Sequence, residues 1–138
     1  MEELEAFVGE WRMRTSFAPA GSDAPRAITT FEWLSGKTFL IQRWQVDHPD
    51  APDGIAVIGW DGERSTLLQH YFDSRGVARV YEMTFADRLW TLQRLVPGFC
   101  QRFTGTFDDG DTIRGRWELS DDGVSWRTDF DVRYERVR

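Results

Sequence analysis

From Gly36 to Gly123 the chain runs in short segments of alternating apolar and polar side chains, each closed by a turn-forming pair. The pairs are Ser35-Gly36, Asp53-Gly54, Asp61-Gly62, Arg75-Gly76, Ala86-Asp87, Pro97-Gly98, Asp109-Gly110 and Asp122-Gly123. These are residue types that tolerate the positive φ of tight hairpins. In the last segment Trp126, Phe130, Val132 and Tyr134 share one parity, against Arg127, Asp129, Asp131, Arg133 and Glu135 on the other. The segment before it sets Ile113, Trp117 and Leu119 against Arg114, Arg116 and Glu118. A period of two with one apolar face predicts strands buried on one side and wet on the other.

The pattern predicts ten strands, at residues 9–17, 27–34, 37–47, 54–61, 64–73, 76–85, 87–95, 99–107, 110–119 and 124–137. No helix-period segment is long enough for a parallel crossover, so neighbours in sequence should pair antiparallel. Left open, such a meander would expose two patterned edges, and pairing the first strand with the last removes them. The expected fold is all-β: a closed antiparallel up-and-down β-barrel of about ten strands, one domain over residues 1–138, opened by a short helix at 2–7. Ten strands leave a wider interior than eight, which predicts a cavity, with an aromatic-filled barrel as the alternative. The longest connection, Ala18 to Arg26, carries Pro19, Gly21 and Pro25 and is the expected flap.

Composition narrows the function. The 138 residues are 41% hydrophobic, enough for one core. A net charge of −6 argues against nucleic acid and anionic membranes as partners. No apolar run approaches the ~20 residues of a bilayer span, and the first residues are acidic where a secretory signal is basic. Cys100, the single cysteine, has no internal partner. These features predict a cytoplasmic protein without membrane insertion, and a homodimer is compatible with them.

Phe7-Val8-Gly9-Glu10-Trp11 places a Gly-x-Trp at the start of the first strand, behind a short helix, and the chain ends on Val132-Arg133-Tyr134-Glu135-Arg136. This resembles the calycin superfamily of lipocalins, fatty-acid-binding proteins and nitrobindin-like barrels, and looks most like small bacterial domains related to nitrobindin. The resemblance covers essentially the whole chain. It implies a structural plug in which Gly9 opens the strand, Trp11 closes one barrel end, and Arg136 or Arg133 packs over the indole. Nitrobindin-type haem binders supply a late histidine, whereas no histidine follows His70 here. Haem is therefore not expected, nor any other cofactor.

Few residues carry candidate chemistry. His48 lies in a Pro- and Asp-rich connection without the ligand spacing of a metal site. His70 shares a parity with Leu68 and Phe72; read as inward, it meets a core partner, a ligand or a substrate. Arg79 and Tyr81 on the next strand would converge with it, and His70 with Tyr81 would form the acid–base pair if the barrel is an enzyme of isomerase or cyclase type. Gln42 and Trp44 belong to the more apolar parity of the third strand, which puts Arg43 outside; the reverse parity brings Arg43 in as a carboxylate clamp. Gln101, between Phe99 and Phe103, is a further inward polar residue. Few polar groups in an aromatic interior predict a binder of a small, largely apolar molecule more than an active site.

Overall fold

A computed structural model describes residues 1–16 and 27–138; the expected flap over Ala18–Arg26 lies outside the described residues. A 3-10 helix over Glu2–Phe7 leads into ten strands: β1 (Gly9–Thr15), β2 (Ala27–Trp33), β3 (Phe39–Val46), β4 (Gly54–Asp61), β5 (Thr66–Asp73), β6 (Ala78–Ala86), β7 (Leu89–Arg94), β8 (Cys100–Asp109), β9 (Thr112–Ser120) and β10 (Arg127–Arg136). Every strand pairs antiparallel with its sequence neighbour, and β1 pairs with β10 as well as β2, closing the barrel. The up-and-down order read from the turn pairs is the order observed. The two-residue hairpin between β6 and β7 places Asp87 and Arg88 at φ 52° and 66°, the doubly left-handed turn that follows the twist of the flanking strands.

One end of the barrel is filled with rings. Phe7 is fully buried and its ring centroid lies 4.9 Å from that of Phe85, 5.0 Å from those of Trp90 and Phe107, and 5.2 Å from that of Phe31. Leu4 and Trp11 are also fully buried. Such tilted and edge-on pairs add about 0.5–1.5 kcal/mol each beyond area burial. The 3-10 helix is short because its task is to deliver two apolar side chains, Leu4 and Phe7, into this end while Glu2, Glu3 and Glu5 face outward.

Trp126 departs from the sequence pattern. A register shift sets Thr128 opposite Glu118 but Phe130 opposite Trp117, so one extra residue in β10 reverses parity beyond the bulge. Trp126 therefore leaves the interior and carries the Arg102 guanidinium 4.2 Å above its ring, on the outer face where Arg102 also pairs with Glu118 at 2.9 Å. Truncating Phe7 to Ala is expected to cost about 3–5 kcal/mol in urea unfolding. The same change in the exposed Val124 should cost less than about 0.5 kcal/mol.

Candidate functional site

The other half of the barrel is not filled. A cavity of about 830 Å³ begins above the ring cluster and reaches the loops at the opposite end, where His48, Asp50, Phe99 and Asp129 form its rim. These four are exposed, so the cavity opens to solvent there. Among the described residues nine aromatic side chains line it, including Trp44, Tyr71, Tyr81, Trp90 and Trp117. Trp44 and Tyr71 stack at 5.3 Å with 27° between their planes. That stack depends on Gly54, because a Cβ there would collide with the Trp44 indole.

Polar groups are spaced around this wall. Gln42 donates from Nε2 to the Thr29 hydroxyl at 3.2 Å, and that hydroxyl donates to the Arg43 carbonyl at 3.1 Å. Tyr81 donates its hydroxyl to Gln101 Oε1 at 3.0 Å, a bond worth about 1 kcal/mol. Burial pushes the Tyr81 hydroxyl pKa up, and the nearby Arg79 guanidinium partly opposes this. Arg79 lies 5.3 Å from the Phe99 ring centroid. Burial also raises the Tyr134 hydroxyl pKa, so the interior phenols stay neutral.

Near the rim the Asp73 side chain is fully buried and collects donors from two residues. Tyr71 Oη donates to it at 2.6 Å, Arg75 Nη2 at 2.7 Å and the Arg75 backbone N–H at 2.9 Å. The Arg75 guanidinium holds the carboxyl well below the usual carboxylate range, and Tyr71 assists. Burial, then the hydrogen bond to Asp73, raises the Tyr71 hydroxyl pKa. The Arg75-Gly76 pair read as a turn from the sequence closes a turn over residues 73–76, with Gly76 N–H donating to the Asp73 carbonyl at 2.9 Å. The turn also anchors one wall of the cavity.

Two buried polar atoms have no hydrogen-bond partner among the described residues: Gln69 Oε1 and Trp90 Nε1. Both residues line the cavity, at 4% and 2% exposure. Leaving a buried donor or acceptor unmade costs about 1–3 kcal/mol, so each is a standing cost to the empty fold.

The structure corrects the expectation for His70, which lies on the outer face, exposed, between Val57 and Val80. The more apolar parity of β5, Leu68-His70-Phe72, points out, and Leu67, Gln69, Tyr71 and Asp73 point in. Register decides this: Gln69 stands opposite Tyr81, and a strand slipped by one residue would turn every side chain over. His70 thus cannot meet Arg79 and Tyr81 across the hairpin. Phe72 and Val80, 46% and 43% exposed, remain on the surface beside it. Arg43 is likewise outside, paired with Glu32, so the inward-clamp alternative fails. Gln42, Trp44, Arg79, Tyr81 and Gln101 all line the cavity. Gln69, Tyr71, Asp73 and Trp90 were not singled out from the sequence. The clean alternation of β6 together with the length of the Asp73–Gly76 turn was the signal that could have placed the first three.

At the closed end the Arg136 guanidinium lies 4.2 Å above the Trp11 ring. It donates to the carbonyls of Val8 at 2.6 Å, Ala6 at 2.9 Å and Gly110 at 3.1 Å, while Trp11 Nε1 donates to the Phe7 carbonyl at 2.8 Å. Gly9 is at φ 133° and a Cβ there would lie 2.7 Å from Arg136 Nη1, so only glycine fits under the arginine. Arg133 instead pairs with Glu135 on the outer face. His48 accepts the Asp50 backbone N–H at Nδ1, 3.1 Å away.

Fold and interior together define a closed ten-stranded antiparallel barrel, sealed at one end and holding an aromatic, sparsely polar cavity open at the other. No protein-family model matches the chain, and no curated protein matches it.

The depressed carboxyl pKa of Asp73 fixes a sign. Its ionised form contributes stability above the unfolded value near ~3.9, and that contribution is lost as pH falls toward the lower folded value. Asp73→Asn is expected to destabilise the protein at neutral pH, and the gap to the wild type should shrink on acidification to about pH 2.5, as read by urea midpoints.

Proposed function

We propose that the barrel is a calycin-like container that binds a small, largely apolar molecule in its interior. The observation that carries this reading is the cavity of about 830 Å³ walled by aromatic side chains. Ligand pockets commonly span ~300–1,000 Å³ with a small number of placed polar groups, and Gln42, Gln69, Tyr81 and Gln101 are such groups. Support for the calycin likeness comes from Gly9, Trp11 and Arg136, which make the closed-end contacts that the resemblance implies. A cytoplasmic setting goes with this reading, supported by the free, buried Cys100. No helix among the described residues is long and apolar enough to cross a membrane. The isomerase or cyclase alternative loses its acid–base pair, since His70 is on the outer face and only Tyr81 faces the cavity.

Native mass spectrometry of protein purified from its own host should show a non-covalent adduct that solvent extraction removes. The extracted protein should bind an amphiphilic fluorophore such as anilinonaphthalene sulfonate, whose binding should quench emission from Trp44, Trp90 and Trp117. His70→Ala should leave that affinity within about twofold, because the residue lies outside the wall. Val46→Trp, at the cavity wall near the rim, should weaken it. Protein that carries no adduct and binds no fluorophore would overturn the container reading.

A further inference from the structure

Resting on the container reading, we propose that the natural ligand carries a single carboxylate, held by Arg79 and Arg94 where the barrel wall parts between β6 and β7, with its apolar body in the cavity. The parting is a matter of register. Strand β6 spans Ala78–Ala86, but its ladder to β7 begins only at Glu82, opposite Gln93, and ends at Ala86, opposite Leu89. Ala78, Arg79, Val80 and Tyr81 therefore pair with β5 alone. Outside this seam lies a groove of about 610 Å³ walled in part by Phe72, Val80, Leu95 and Val96, and Arg79 lines both that groove and the interior cavity. Arg94, the last residue of β7, lines the groove at the same seam.

Neither of these arginines is neutralised. Most arginines of the barrel are ion-paired, as Arg75 is to Asp73 and Arg102 to Glu118. Among the described residues Arg12, Arg14, Arg79, Arg88 and Arg94 have no carboxylate partner. Arg12, Arg14 and Arg88 are exposed, where water solvates them, whereas Arg79 and Arg94 are half-buried. A guanidinium that has given up part of its hydration is stabilised by an anion in its place. Phe99 offers Arg79 a ring 5.3 Å away but no charge, and Glu82, which also lines the groove, is exposed and pairs with neither arginine. Burial raises the Tyr81 hydroxyl pKa and the Arg79 and Arg94 guanidiniums oppose it, so both cations act on one phenol of the cavity wall. A carboxylate beside that phenol meets two guanidinium forks, each with the geometry to bond it through paired N–H groups. Asp50 and Asp129 at the rim would repel the same group, which favours the seam over the mouth for the charged end.

Three pyrene probes that differ only at the end of the chain test this by fluorescence titration of the solvent-extracted full chain near neutral pH: pyrenebutyrate, pyrenebutanol and pyrenebutylamine. The butyrate should bind at least about tenfold more tightly than the alcohol, and the cationic amine most weakly. Arg79→Gln and Arg94→Gln should each weaken the butyrate about five- to tenfold and leave the alcohol within about twofold, a split that a merely structural role would not give. Arg79→Lys keeps the charge without the fork and should fall between, and it replaces Arg79→Gln should that variant fail to fold. Arg88→Gln, in the exposed turn between β6 and β7, should change neither affinity by more than about twofold. Salt at about 0.5 M should weaken the butyrate and spare the alcohol. An alcohol or amine that binds as tightly as the butyrate, or a butyrate affinity unchanged by the loss of either arginine, would overturn the inference while the container reading stands. Failure of all three probes, and of anilinonaphthalene sulfonate, would overturn the container reading itself.

Discussion

Strand β1 has no free edge. It bonds β2 along one side and β10 along the other, with Trp11 opposite Arg136 and Thr15 opposite Val132, and the existence of an interior rests on that second pairing. An open ten-stranded sheet would have to curl or split, and its inner face would have nothing of its own to pack against. Closure makes that face an inside, and every inward side chain acquires neighbours from strands far away in sequence. The cost is loop closure across almost the entire chain, offset by packing that only the finished barrel supplies.

The two halves of that inside do different work. Below, Phe7 brings a fifth ring into a nest of four, and the Arg136 guanidinium lies over Trp11 while satisfying three carbonyls at the chain's entry. Above, the side chains leave a cavity of about 830 Å³ between them. The wall there is held by Gln42 bonding Thr29 on a neighbouring strand, Tyr71 bonding Asp73 along β5, Tyr81 bonding Gln101 over β7, and ring contacts such as Tyr81 with Trp117 at 5.6 Å. A barrel wall braced in this way can remain hollow, and Gln69 Oε1 and Trp90 Nε1 lie buried within it without a hydrogen-bond partner among the described residues.

Much of this was legible in the residues and some was not, for reasons that particular strands make plain. β6 and β9 have clean alternation, so Tyr81 and Trp117 could be assigned to the inside without knowing any partner. β5 has apolar residues on both parities, and a rule that sends the greasier face inward chose Leu68, His70 and Phe72. The barrel sent them outward because register to β6 overrides composition. β10 misled through its bulge: one extra residue between Thr128 and Phe130 cancels the period of two, and Trp126 went to the surface. Bulges carry little signal in the alternation they interrupt.

Turn chemistry and strand alternation are local properties, set by the φ that Gly and Asp tolerate and by a backbone that alternates sides. The sequence by itself therefore determined the number of strands, their order and the aromatic character of the interior. Which parity of an ambiguous strand faces inward, where the rings end and the cavity begins, and which buried atoms go without a partner were decided only by the tertiary structure. Each depends on the simultaneous register of several strands, and register is a property of pairs that no single segment contains.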